Sequence, residues 1–150
     1  MKICALTLLL ASCASAATHD FDVVVYGGTA GGVIAAVSSV REGLRTALLE
    51  PSSHLGGMVS SGLGNTDLGK KEAIGGYAFE FYQRIGSWQH EPHIAEETFR
   101  QMLTGAGVKV FERNRLKEKS GVHKIRNPHR FYHDGIGPHI HRARVHRLQL

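Results

Sequence analysis

The chain carries only two cysteines in 150 residues, Cys4 and Cys13, both close to its beginning. Once a leader containing them is processed, at most one thiol remains, so no internal disulfide is possible, and export would not bring disulfide stapling with it. Long apolar runs are also missing. The stretch from Ala5 to Ala11 falls well short of the about 20 residues that a helix needs to span a bilayer, and no later segment approaches that length. Excess charge of one sign is confined to one end. Residues 1 to 115 hold 10 Lys+Arg against 11 Asp+Glu, whereas residues 116 to 150 hold 8 against 2, so the net charge of +5 belongs to the tail. No nucleophile, base and orienting acid stand out as a catalytic set.

The start reads as a signal peptide over residues 1–17. Lys2 precedes the apolar run, and small residues follow up to Ala17. Two processing sites compete: Ala14-Ser15-Ala16 suits ordinary cleavage, and Leu10-Ala11-Ser12-Cys13 suits acylation of Cys13, which would leave a lipid anchor. Either predicts a secreted or periplasmic protein without a transmembrane segment. The length fits one domain, able to bury roughly 70% of its unfolded surface if all of it folds together.

Residues 21 to 50 carry the strongest pattern. Phe21 to Tyr26 reads as a strand, and Gly27-Gly28-Thr29-Ala30-Gly31-Gly32 as a turn. A helix from about Gly31 to Glu42 follows, with Val33, Ala36, Val37 and Val40 at helical spacing and a stop at Gly43. Arg45 to Glu50 is a second strand ending in a carboxylate. Strand, helix and strand within 30 residues demand a parallel crossover, which brings the Gly27 turn and Glu50 to the carboxyl edge of one sheet. Gly27 and Gly32 allow the tight reversal and close helix packing of a dinucleotide fingerprint, with a pyrophosphate on the helix N-terminus and Glu50 on a ribose. Thr29 stands where G-x-G-x-x-G places its second glycine. The nucleotide is NAD or FAD on this unit alone. Leu55-Gly56-Gly57-Met58, just beyond Glu50, favours FAD, since flavoproteins bring backbone close to the cofactor there.

The remainder predicts a long glycine- and serine-rich loop from Pro51 to Gly69, of the kind that is usually functional or disordered. A helix from Lys71 to Ile85 follows, with Ile74, Ala78, Phe81, Tyr82 and Ile85 as its apolar stripe and Gly75 and Gly76 weakening it. Next come a helix opened by Pro92, with Phe99, Met102, Leu103 and Ala106 on one face and Gly105 and Gly107 ending it, and a third strand, Val108 to Glu112. From about Gly121 the pattern decays into Arg, His and Pro and predicts no core.

Asp22 to Ala36, Leu49 to Met58, Gly62 to Asp67 and Glu91 to Phe99 together resemble the secreted bacterial FAD-dependent oxidoreductases of the glutathione-reductase-like class, some of which carry a xanthan lyase label. The resemblance runs from about Phe21 to Gly121. It implies a Rossmann-like α/β FAD/NAD(P)-binding domain, here incomplete, with FAD bound by Gly27, Gly28, Thr29, Ala30, Gly31 and Gly32, Glu50 on the adenosine ribose, and Gly56, Gly57 and Met58 along the cofactor. It also implies redox chemistry on a small organic substrate. Thr at the second glycine position looks usual among these relatives. The stretch from Ser87 to His90 looks shortened against them, and residues 122–150 resemble nothing in the family. A frameshift beyond Gly121 is the simplest account of that basic tail, which is otherwise expected to be disordered.

Other patterns carry less. Gly64 to Lys71 mimics a phosphate-binding loop, but Lys71 replaces the Ser/Thr that would hold magnesium, and no clear strand precedes it. His54 stands where some flavoproteins attach their flavin, but a solvated loop histidine is the better reading. His123, His129, His133, His139, His141 and His146 match no zinc spacing, so no metal is expected. Export argues against nucleic acid as the partner of the basic tail. Family members continue for several hundred residues beyond this length, so the chain itself is expected to show weak stability and little turnover. The competing readings are a truncated, non-catalytic secreted polypeptide or nucleotide-binding fragment, and an NAD-linked dehydrogenase fragment.

Overall fold

The computed structural model describes residues 18–65, 67, 69–116 and 145–149. The leader with Cys4 and Cys13, the boundary near Gly121, and the tail histidines other than His146 lie outside the described residues. Strand β1 is Thr18–Phe21, β2 Val23–Tyr26 and β3 Thr46–Glu50, with helix α1, Ala30–Arg41, between the last two. Helix α2 is Gly76–Ile85, α3 Pro92–Ala106, and strands β4, Lys109–Glu112, and β5, Val145–Gln149, complete the order.

The main sheet runs β2-β3-β4, parallel throughout. Val25, Leu48 and Val110 stand in register across it and all join the core beneath α1 and α3. β3 is the central strand and its first four residues are buried, as expected of a parallel strand covered on both faces. This is an incomplete Rossmann-like α/β fold, and its three strands are those read from the sequence, except that the first begins at Val23 because Phe21 belongs to β1. A separate antiparallel pair joins β1 to β5, placing a short strand in a tail where sequence pattern alone predicted no element.

The helices pack as their spacing requires. Val33, Ala36 and Val37 of α1 are fully buried, and Val40 packs against them from the rim. Gly43, at φ +81°, ends that segment in a conformation that side-chain-bearing residues rarely adopt. α3 buries Ala95, Phe99, Met102 and Leu103, and Phe99 stacks on Phe81 of α2 at 4.4 Å between ring centroids. Gly105 does not end α3: it lies within the helix, and the chain turns only at Gly107, φ +84°.

The second helix is shorter than its apolar spacing predicts. Lys71–Ala73 forms an isolated 3-10 turn, Gly75 is extended and Gly76 sits at φ +58°, so the helical path cannot run through them and α2 begins at Gly76. Its buried stripe shifts accordingly. Phe81 is buried and Tyr77, Tyr82 and Ile85 pack against the core, whereas Ala78 faces solvent. Among the described residues, no helix is long and apolar enough to cross a membrane.

Candidate functional site

The parallel register brings the ends of β2, β3 and β4 to one edge, and the glycine turn grows out of the first of them. Gly27 takes φ +101° and its N–H donates to the Leu49 carbonyl at 2.8 Å, so the turn starts while the chain is still tied to β3. Gly32 then passes so close to this turn that a Cβ would lie 2.0 Å from the Gly27 carbonyl oxygen. That contact seats the helix N-terminus on the strand end. Gly31 has no such constraint, its nearest neighbour being Thr29 Oγ1 at 3.9 Å.

Thr29 replaces a fingerprint glycine because it caps the helix. Its backbone is extended, its hydroxyl accepts from the Gly32 N–H at 3.2 Å, and its carbonyl accepts from Val33. With Gly32 engaged, the N–H groups of Ala30 and Gly31 are the first-turn donors that the helix itself cannot satisfy. They add the positive end of the helix dipole to the mouth of the turn.

Glu50 is bound to the turn directly. Its Oε2 accepts from the Gly28 N–H at 2.6 Å and its Oε1 from the Ser52 N–H at 2.7 Å. Partial burial pushes its carboxyl up, but the hydrogen bonds from Ser52 and Gly28 outweigh this and hold it below the usual carboxylate value. The group is therefore an ionised, acceptor-only carboxylate. A carboxylate offers about four lone-pair sites, so these bonds leave acceptor capacity for further hydroxyl donors.

The third segment, Leu55 to Met58, closes against the first. The Gly56 N–H donates to the Gly28 carbonyl at 2.6 Å, and Thr29 and Gly56 form a parallel bridge. Gly56 sits at φ +98°, and a Cβ there would lie 2.6 Å from the Phe99 ring. Gly57 opens a 3-10 turn, Gly57–Ser60, and lies against Thr29, while Met58 is 71% exposed. The structure thus brings together Gly27 to Gly32, Glu50 and Gly56-Gly57, and leaves Met58 on the open side.

Several contacts of this assembly gave no sequence signal. Leu55, in a polar loop, is 1% exposed and fills the space that a Cβ on Gly28 would need, 2.5 Å from Leu55 Cδ2. Arg100 of α3 donates to Glu96 at 2.7 Å, to Glu112 at the end of β4, and to the Ser53 carbonyl at 3.0 Å. Glu96 in turn accepts from the Leu55 N–H at 3.3 Å and contacts His54 Nδ1 at 3.1 Å. One guanidinium therefore fixes the loop between Glu50 and Gly56 to a helix that is distant in sequence, and His54, though exposed, is partnered. Beyond β4, Arg113 and Asn114 return to this edge: their N–H groups donate to the carbonyls of Ser52 and Glu50 at 2.9 and 3.0 Å.

The phosphate-loop mimic has no such architecture. Coil rather than strand precedes Gly64, which packs on the His90 carbonyl, and Asn65 bridges Gln89.

A model of the FAD dependent oxidoreductase family matches residues 22–130. The chain belongs to that family. The match enters at the residue before β2, takes in the glycine turn, Glu50 and the Gly56-Gly57 loop, and runs past Gly121, where the resemblance read from the sequence stops. Among solved structures, the chain is similar to THI4 from Thermovibrio ammonificans, at 20% identity and a TM-score of 0.43, over 61% of this chain and 38% of that one. The family member described here therefore spans well under half the length of that protein. No curated protein matches.

Proposed function

We propose that the Gly27 to Gly32 turn, Glu50 and the Gly56-Gly57-Met58 loop hold the ADP half of FAD in a flavin-dependent oxidoreductase that acts on a small organic substrate. The observation carrying this reading is the 2.6 Å bond from the Gly28 N–H to Glu50 Oε2, which makes phosphate turn and ribose acceptor one assembly. The residues fit the cofactor. Gly32 seats the helix N-terminus, where Ala30 and Gly31 direct N–H groups at an anion, and ionised Glu50 keeps lone pairs for the ribose hydroxyls. The same carboxylate disfavours a nucleotide bearing a phosphate on that ribose. The bound flavin would supply the electron-transfer chemistry, while the residues described here bind and orient it.

Export to the periplasm or beyond is part of the proposal, supported by Lys2 and the apolar run that follows it, as is the placement within the secreted bacterial members that the four quoted segments resemble. No nucleic-acid partner is proposed. The test is to purify the full chain, add FAD, remove the excess and record the visible spectrum. Retained flavin absorption, lost in a Gly32→Val variant, is the expected result; a colourless protein that also leaves FAD fluorescence unchanged would overturn the reading and leave a non-catalytic polypeptide.

A further inference from the structure

We propose that Arg113 recognises the adenine base of the bound nucleotide by laying its guanidinium against the ring, an inference that rests on the nucleotide site proposed above. Among the described residues Arg113 is the one non-glycine at positive φ, +56°. A side chain in that region costs about 1 kcal/mol or more, which glycine would avoid, so the position keeps an arginine against a backbone preference.

The strained turn is held on both sides. The Arg113 N–H donates to the Ser52 carbonyl at 2.9 Å, the Asn114 N–H donates to the Glu50 carbonyl at 3.0 Å, and Asn114 Nδ2 donates to the Glu112 carbonyl at 2.7 Å. Arg113 is thereby fixed beside the two residues that shape the proposed ribose acceptor. It is exposed, and no ion pair among the described residues engages it, in contrast to Arg41, Arg45, Arg84 and Arg100.

The order of groups in the ligand supplies the rest. Phosphate, ribose and base follow one another in a nucleotide, and the ends of β2, β3 and β4 follow one another across the edge. With phosphate at the turn after β2 and ribose at Glu50, the base falls at the end of β4, about 4.8 Å further on. Arg113 is the first residue beyond that end. A planar guanidinium stacks on a flat π-face in a way that an ammonium does not.

The test titrates the full chain with ADP and with inorganic pyrophosphate, which has no base, for the wild type and for Arg113→Gly and Arg113→Lys. Arg113→Gly is expected to weaken ADP about five- to ten-fold, leave pyrophosphate unchanged, and keep or raise the melting temperature, since glycine accepts the backbone conformation. Arg113→Lys should lose most of the same affinity. Equal weakening of both ligands, or full ADP affinity in either variant, would overturn base stacking while leaving the nucleotide site intact. Wild-type protein that binds neither ligand would overturn both.

Discussion

The Cα of Gly32 lies against the carbonyl oxygen of Gly27, so that a methyl group on Gly32 would come within 2.0 Å of it. The obstacle is backbone at the point where helix meets strand, and it cannot rotate away. Gly32→Ala should therefore lower the melting temperature sharply, by the equivalent of about 3 kcal/mol or more, whereas Gly31→Ala, with open space around it, should change stability little or raise it. Thermal unfolding followed by circular dichroism checks the pair. Equal effects would mean that the helix is not seated as described.

Thr29 tests the capping account. Thr29→Ala removes the acceptor for the Gly32 N–H and should cost about 1 kcal/mol, while Thr29→Gly, which restores the general fingerprint, should cost only a few tenths. Thr29→Ser should be nearly silent. If Thr29→Ala unfolds at the same temperature as the wild type and Thr29→Ser, the hydroxyl is not holding the helix end.

Much of this site was legible in the sequence because its signals are local. Val33, Ala36 and Val37 announce a buried helical face, Gly27 and Gly32 announce a tight turn, and Glu50 closes a strand whose apolar run needs no partner to be recognised. What stayed hidden depends on residues meeting across long separations. Nothing near Leu55 says that it will be core, because the space it fills lies beside Gly28. Arg100 reads as one charge on a helical surface until the fold sets Ser53 and Glu112 beside it. The start of α2 differs for another reason: apolar spacing extends back to Ile74, but the backbone at Gly75 and Gly76 breaks the path.

Arg100 offers the third prediction. Its donors serve Glu96, Glu112 and the Ser53 carbonyl, all partly screened by solvent, so its loss costs less than that of a buried pair. Arg100→Met keeps the apolar stem and should destabilise by about 1–2 kcal/mol. The greater effect should be local, with faster amide exchange at Leu55 and Gly56 and weaker FAD retention. Unchanged exchange there would show that α3 does not brace the loop.

Glu50 gives a prediction with a sign fixed by its hydrogen bonds. Its carboxyl is held below the ordinary value of 4.5, so its contribution to stability is fully present above that pH and is lost as pH falls through the lower, folded-state value. Glu50→Gln presents one oxygen and one amide to two N–H donors, leaving either Gly28 or Ser52 unsatisfied, and should cost about 1–3 kcal/mol near neutrality. The difference between wild type and Glu50→Gln should shrink as the solution is acidified below about pH 4.5, because the protonated wild-type carboxyl then also offers only one bare acceptor oxygen. Glu80 supplies the control. Bonded to Arg41 and Arg84, it is lowered to about 2, so the effect of Glu80→Gln should persist to more acid solution before fading. Denaturant unfolding of the three proteins across this range measures both windows. A Glu50→Gln penalty that stays constant with pH would show that the carboxylate charge is not what binds the Gly28 turn to the end of β3.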